Sequence, residues 1–161
     1  MQSLVKKVYS SKRLSSFFQV SSLLIEIIVS VSFCLQLVFT FFGDVVIALK
    51  VAVSAAVGLV MVSILRKLIN APRPYEIYDF FEAPPRKGSG CSFPSRHAYS
   101  SFVIAVLAWL WHPAISISLL ALALCLCVLR VLLGIHFVRD VICGAAIGII
   151  AAVIGILTVV L

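Results

Sequence analysis

The chain of 161 residues is 63% hydrophobic and 12% charged, with a mean hydropathy of +1.20, which excludes a soluble domain that must cover its surface with polar groups. Its formal charge of +7 comes from basic residues gathered at the N-terminus and around the polar connections. No basic stripe with interleaved aromatics appears, so nucleic acid is not an expected partner; a membrane surface and a phosphorylated substrate are.

Residues 1–16 place Lys6, Lys7, Lys12 and Arg13 among serines and a few apolar residues, the pattern of a basic interfacial or juxtamembrane segment. No cleavable leader is expected there, because no small-residue cleavage site ends the apolar block that follows. Apolar blocks long enough to cross roughly 30 Å of hydrocarbon, about 20 helical residues each, then follow one another. The first is predicted over 17–42, with a turn at Gly43-Asp44, and the second over 45–65, closed by Arg66-Lys67. A polar connection over 70–95 holds five of the six prolines. The third span is predicted over 96–111, broken by His112-Pro113; the fourth covers 114–133, and after a tight connection at Gly134 the fifth runs from about 136 to 161. The fold class is therefore all-α: a polytopic membrane helical bundle of about five transmembrane helices plus the N-terminal segment, in one domain covering 1–161. Multi-pass placement in the cell membrane follows.

Four cysteines (Cys34, Cys125, Cys127, Cys143) fall inside spans as small hydrophobes, and Cys91 lies in the loop; no disulfide framework or metal spacing emerges. Lys50, near the Asp44 turn, is expected to snorkel to that interface. Glu26, roughly 13 Å into the first span at helical rise, is expected to face the bundle interior without pairing with Lys50. Its role stays open. His112 is expected at the interface opposite the polar loop. Tyr75, Tyr78, Phe80 and Phe81 are expected in an interfacial aromatic belt, or alternatively in a lid over the lipid. Arg139 reads as an anchor that points away from Asp140.

The remaining polar residues form three clusters. Arg66, Lys67 and Arg73 close the second span, Ser95-Arg96-His97 opens the third, and Arg130 ends the fourth with His136 and Asp140 just beyond it. An even number of crossings separates each cluster from the next, so all three lie at the same membrane face. Several guanidinium groups and a helix N-terminus gathered there make an anion site suited to phosphate. His136 and Asp140 are four apart and share a helix face. The carboxylate can accept the Nδ1 proton, which leaves Nε2 free to attack. His97 supplies a second imidazole able to protonate a leaving oxygen. No trio of metal ligands is evident, and neither a metal nor another cofactor is expected.

These residues resemble the signature of the type 2 phosphatidic acid phosphatase (lipid phosphate phosphatase) superfamily, in particular its small bacterial-type members. The family pattern is K-x6-R-P, P-S-G-H and S-R-x5-H-x3-D. The chain reads Arg66-KLINAP-Arg73-Pro74, then Pro94-Ser95-Arg96-His97, then Leu129-Arg130-VLLGI-His136-FVR-Asp140. Arginine stands for the first lysine, Arg96 for the glycine and Leu129 for the serine. The order and spacing are kept over nearly half the chain.

The resemblance implies metal-independent hydrolysis of a lipid phosphate through a phosphohistidine. His136 would be the nucleophile, Asp140 its orienting partner and His97 the general acid. Arg66, with Lys67 beside it, Arg73, Ser95, Arg96 and Arg130 would bind phosphoryl oxygens. Candidate substrates are phosphatidic acid, phosphatidylglycerophosphate and polyprenyl diphosphates. A phosphotransferase with the same site, or a non-enzymatic transporter or scaffold, are the alternatives. The positive-inside rule puts the N-terminus, and two crossings later the motifs, in the cytoplasm, although many members of the family face outward.

Overall fold

A computed structural model describes residues 2–78 and 90–161. Among these, helices α2 (Lys12–Gly43), α3 (Val45–Ile69), α6 (Pro113–Leu132) and α7 (Val138–Val160) are long and apolar enough to cross a membrane. Their outward faces carry large apolar side chains such as Phe39, Val57, Ile117 and Ile142, all more than half exposed, as lipid contact demands. The third predicted span is shorter than these. It is α5 (Arg96–Leu107), continued by a 3₁₀ turn over Ala108–Leu110. This helix stands in the middle of the bundle, its Tyr99, Val103, Ala105 and Leu107 at most 2% exposed.

The turns follow from capping chemistry. Asp44 accepts from the Val46 and Ile47 amides (2.8 and 3.1 Å) at the head of α3. Ser95 caps α5 through Ala98 N. His112 Nδ1 accepts from Ala114 N (3.2 Å), and Pro113 fills the first position of α6. Each cap satisfies amides that would otherwise be orphaned at a helix start. Lys50 Nζ reaches the Thr158 carbonyl near the C-terminal end of α7.

Apolar residues gain little from leaving lipid, so helices in a bilayer associate by close packing. Between α5 and α7 that packing depends on two glycines. A Cβ at Gly148 would lie 2.6 Å from the Tyr99 carbonyl oxygen and 3.1 Å from Val103 N, and one at Gly144 would meet the Ser95 carbonyl. Tyr99 ties α5 to α3, its hydroxyl donating to the Ala55 carbonyl (2.8 Å).

The N-terminal segment does more than lie at the interface. Helix α1 (Gln2–Tyr9) buries Val5, Val8 and Tyr9 against Leu133 and Ile135, just after α6, while Lys6 and Lys7 stay exposed. Tyr9 donates to the Leu133 carbonyl (3.3 Å). Tyr75 and Tyr78, expected in an interfacial belt, pack against this same cluster, with the Tyr78 ring edge-on to Phe137. Phe80 and Phe81 lie outside the described residues.

Candidate active site

The three polar clusters converge at one end of the bundle. The helix ends bring them there, and direct hydrogen bonds fasten them. Ser95 N donates to the Asp140 carbonyl (2.9 Å), joining the head of α5 to the first turn of α7. Ser92 N donates to the Ala71 carbonyl (2.8 Å), joining the segment before α5 to the segment after α3. Arg66, 5% exposed, donates through Nη1 to the Ser92 and Pro94 carbonyls (3.3 and 2.8 Å). Charge-assisted bonds of this kind are worth about 1.5–3 kcal/mol each. Arg66 thus clamps the motif loop as well as lining the cavity beyond it. A lysine ammonium in its place would have no planar fork to share between loop and ligand.

Arg73 is held in turn. Its Nε donates to the Gly90 carbonyl (3.0 Å), while Glu76 accepts from the amides of Arg73 and Gly90 (3.0 and 2.6 Å). Its guanidinium lies 5.8 Å from the Tyr75 ring centre, within cation–π range.

His136 sits in the tight connection between α6 and α7, where its amide and that of Ile135 both donate to the Arg130 carbonyl. Its Nδ1 is 3.5 Å from Asp140 Oδ2, and both side chains are at most 2% exposed. Ser92, which the motif pattern does not single out, completes the pair. Its hydroxyl donates to Asp140 Oδ2 (2.5 Å) and stands 3.4 Å from His136 Nδ1. Phe137 N donates to the same oxygen (2.9 Å). Asp140 is therefore locked in one rotamer with its charge beside the imidazole, an arrangement that fixes the tautomer with Nε2 unprotonated.

Arg139, read from the sequence as pointing away, instead places Nε 3.6 Å from Asp140 Oδ1 while its guanidinium covers the Phe137 ring. The short helical rise at the head of α7 lets the side chain fold back over its neighbour.

A cavity of about 310 Å³ opens at His136, lined by Arg66, Arg73, Arg96, His97 and Arg130 together with Tyr75 and Ile135. Four guanidinium groups and two imidazoles thus face one space. Its size suits a phosphoryl group and the atoms next to it, and leaves hydrocarbon tails outside. Ser95 is buried at the α5 cap beside this space, and Arg96 is exposed at its rim. Lys67 is exposed on α3 and does not line the cavity. Among the described residues no group of three or more His, Cys, Asp or Glu could hold a metal ion.

Burial pushes the His136 imidazole below its ordinary value; the hydrogen bond and charge of Asp140 oppose the shift, and Arg66 and Arg73 add to it. The neutral, attacking form therefore persists at pH values where a free imidazole, near 6.5, would protonate. With His97, His112 and His136 the only histidines, an NMR titration of histidine-labelled protein assigned against His136→Ala can read this directly. The His136 resonance is expected to titrate below the free-imidazole range, and a midpoint at or above that range would overturn the assignment.

Comparison with known proteins agrees with this geometry. The profile of the PAP2 superfamily matches residues 47–160. The crystal structure of Aquifex aeolicus LpxE aligns with a TM-score of 0.73 at 26% identity, over 96% of this chain and 93% of that one. The crystal structure of the first transmembrane PAP2 type phosphatidylglycerolphosphate phosphatase from Bacillus subtilis aligns at 0.61 and 20% identity, over 96% and 90% of the two chains. No curated protein sequence matches.

Proposed function

We propose that this chain, a membrane lipid phosphatase that belongs to the PAP2 superfamily, hydrolyses a phosphomonoester or diphosphate headgroup through a phosphohistidine on His136. One observation carries the reading: a buried His136–Asp140 pair opens into a cavity ringed by four guanidinium groups and a second imidazole. His136 Nε2 attacks phosphorus, the bond to the leaving oxygen breaks, and His97 gives that oxygen a proton. Water then attacks the phosphorus, His97 takes its proton, the P–N bond breaks and inorganic phosphate departs. Arg66, Arg73, Arg96 and Arg130 stabilise the charge on the phosphoryl oxygens throughout. Asp140 stabilises the imidazolium that forms during attack.

The substrate class is a lipid phosphate of the phosphatidic acid, phosphatidylglycerophosphate or polyprenyl diphosphate kind. A small polar cavity within a bundle whose outer faces are apolar supports a headgroup inside and tails in the bilayer. Arg96 at the rim supplies a guanidinium that could meet a second phosphate. The basic residues of α1 and the start of α2 lie at the site's end of the bundle, with α1 packed on Leu133 and Ile135, which supports a cytoplasmic site by the positive-inside rule.

Phosphate release by purified protein in detergent, across these three lipids, tests the proposal. Turnover is expected to survive EDTA and to be inhibited by orthovanadate, which adopts the five-coordinate geometry of the transition state. Activity lost to EDTA and restored by a divalent ion would point to a metal mechanism instead.

A further inference from the structure

The family match begins at residue 47, yet one ionisable side chain of the preceding helix reaches the site. Glu26, on α2, contacts Arg130 through Oε1 and places Oε2 3.7 Å from His97 Nε2. Ser22, one turn earlier on α2, donates to Oε1 (3.5 Å). Glu26 also lines a second cavity of about 360 Å³ between α2 and the end of α6, which shares Arg130 and Ile135 with the catalytic one.

We propose that Glu26 is a positioning residue for the leaving-group acid, held by Arg130 so that its carboxylate faces the His97 imidazole. The inference rests on the reading of His97 as general acid. The other charged or titratable groups lining the catalytic cavity with His97 are Arg66 from α3, Arg73 and the Tyr75 phenol from the head of the short helix that follows α3 (Pro74–Ile77), Arg96 from α5 itself, Arg130 from α6 and His136 from the α6–α7 connection. Every charge among them is positive and disfavours a protonated imidazole. Glu26 is the carboxylate that meets His97 among the described residues. It orients the ring and offsets the surrounding cations, so that a proton is present when the leaving oxygen needs one. Arg130 keeps the carboxylate from turning into the second cavity.

A leaving-group comparison on the full chain in detergent tests this. An alkyl phosphomonoester such as lysophosphatidic acid expels an alkoxide that must be protonated, whereas p-nitrophenyl phosphate expels a phenolate that leaves without a proton. Because His97 also serves the hydrolysis step that both esters share, the comparison is read on kcat/KM, which ends at leaving-group departure. Glu26→Gln is expected to lower it on the alkyl ester by about tenfold or more, to leave the aryl ester within about twofold, and to move the alkaline limb of the alkyl-ester kcat/KM profile to lower pH. Glu26→Asp, which keeps the charge and guards against a misfolded amide variant, is expected to show a smaller loss of the same selectivity. Parallel loss on both substrates, or no loss on either, would overturn the role of Glu26. His97→Ala on the same pair separates the two levels. A selective loss of kcat/KM there, alongside a non-selective Glu26→Gln, removes Glu26 alone, and an equal loss of kcat/KM on both esters removes the acid on which the inference rests.

Discussion

The His136→Ala variant is expected to fold, to insert in the membrane and to release no measurable phosphate. In the proposed mechanism it removes the atom that forms the covalent bond, and no neighbouring side chain can replace it. Loss of the nucleophile in a covalent hydrolase costs on the order of 10⁶ in kcat. Folding is expected to survive because the Asp140 carboxylate keeps its bonds from Ser92 and Phe137 N, so no buried polar atom of the cradle is newly orphaned. Phosphate release and the thermal midpoint, measured on the same preparation, check both halves. More than a few percent of parental activity in the variant would remove His136 from the nucleophile's role.

Asp140→Asn is expected to show a different signature. The amide oxygen can take the place of Oδ2 and keep the bonds from Ser92 and Phe137 N, leaving the amide nitrogen where Oδ1 has no hydrogen-bond partner. The geometry is then retained and the charge is lost, so kcat should fall by roughly 10³ to 10⁴ with KM little changed. Asp140→Ala should in addition lower the thermal midpoint. It strands the Phe137 amide and the Ser92 hydroxyl in a buried site, at a cost of about 1–3 kcal/mol each. Wild-type kcat in the asparagine variant would exclude electrostatic support from Asp140, and equal midpoints for the two variants would contradict its place in the cradle.

The long helices were legible in the sequence because a lipid solvent permits few alternatives: backbone groups must be satisfied within the segment. Their ends were legible where a capping side chain marks them, at Asp44 and at His112-Pro113. The third span was read as one helix through Trp111, but α5 gives way to a 3₁₀ turn at Ala108. Surrounded by other helices, it is shielded from the lipid that sets the length of an outer span. The convergence of Arg66, Arg73, Arg96, His97, Arg130 and His136 followed from the parity of crossings alone. Parity gives the end of the bundle, however, and says nothing of rotation about each helix axis. That rotation turns Glu26 toward Arg130 and His97 and turns Lys67 away from the cavity, and neither outcome is written in spacing. Ser92 escaped notice for a related reason: its partners belong to another helix, and only the folded loop brings its hydroxyl between Asp140 and His136. The burial of α1 was equally hidden, since the apolar face of so short a helix acquires meaning only opposite Leu133 and Ile135.

The two glycines of α7 bear on chemistry they never touch. Gly144 and Gly148 let α7 rest on the backbone of α5, and the same two helices carry Asp140 and His97 at their upper ends, joined by the bond from Ser95 N to the Asp140 carbonyl. The spacing between the proposed acid and the proposed nucleophile's partner is therefore gauged from below, as the jaws of a caliper are set by its beam. A single added methyl at Gly148, two helical turns beneath Asp140, would widen that gauge at the site, so inactivating substitutions can sit deep in the bilayer, far from any phosphate.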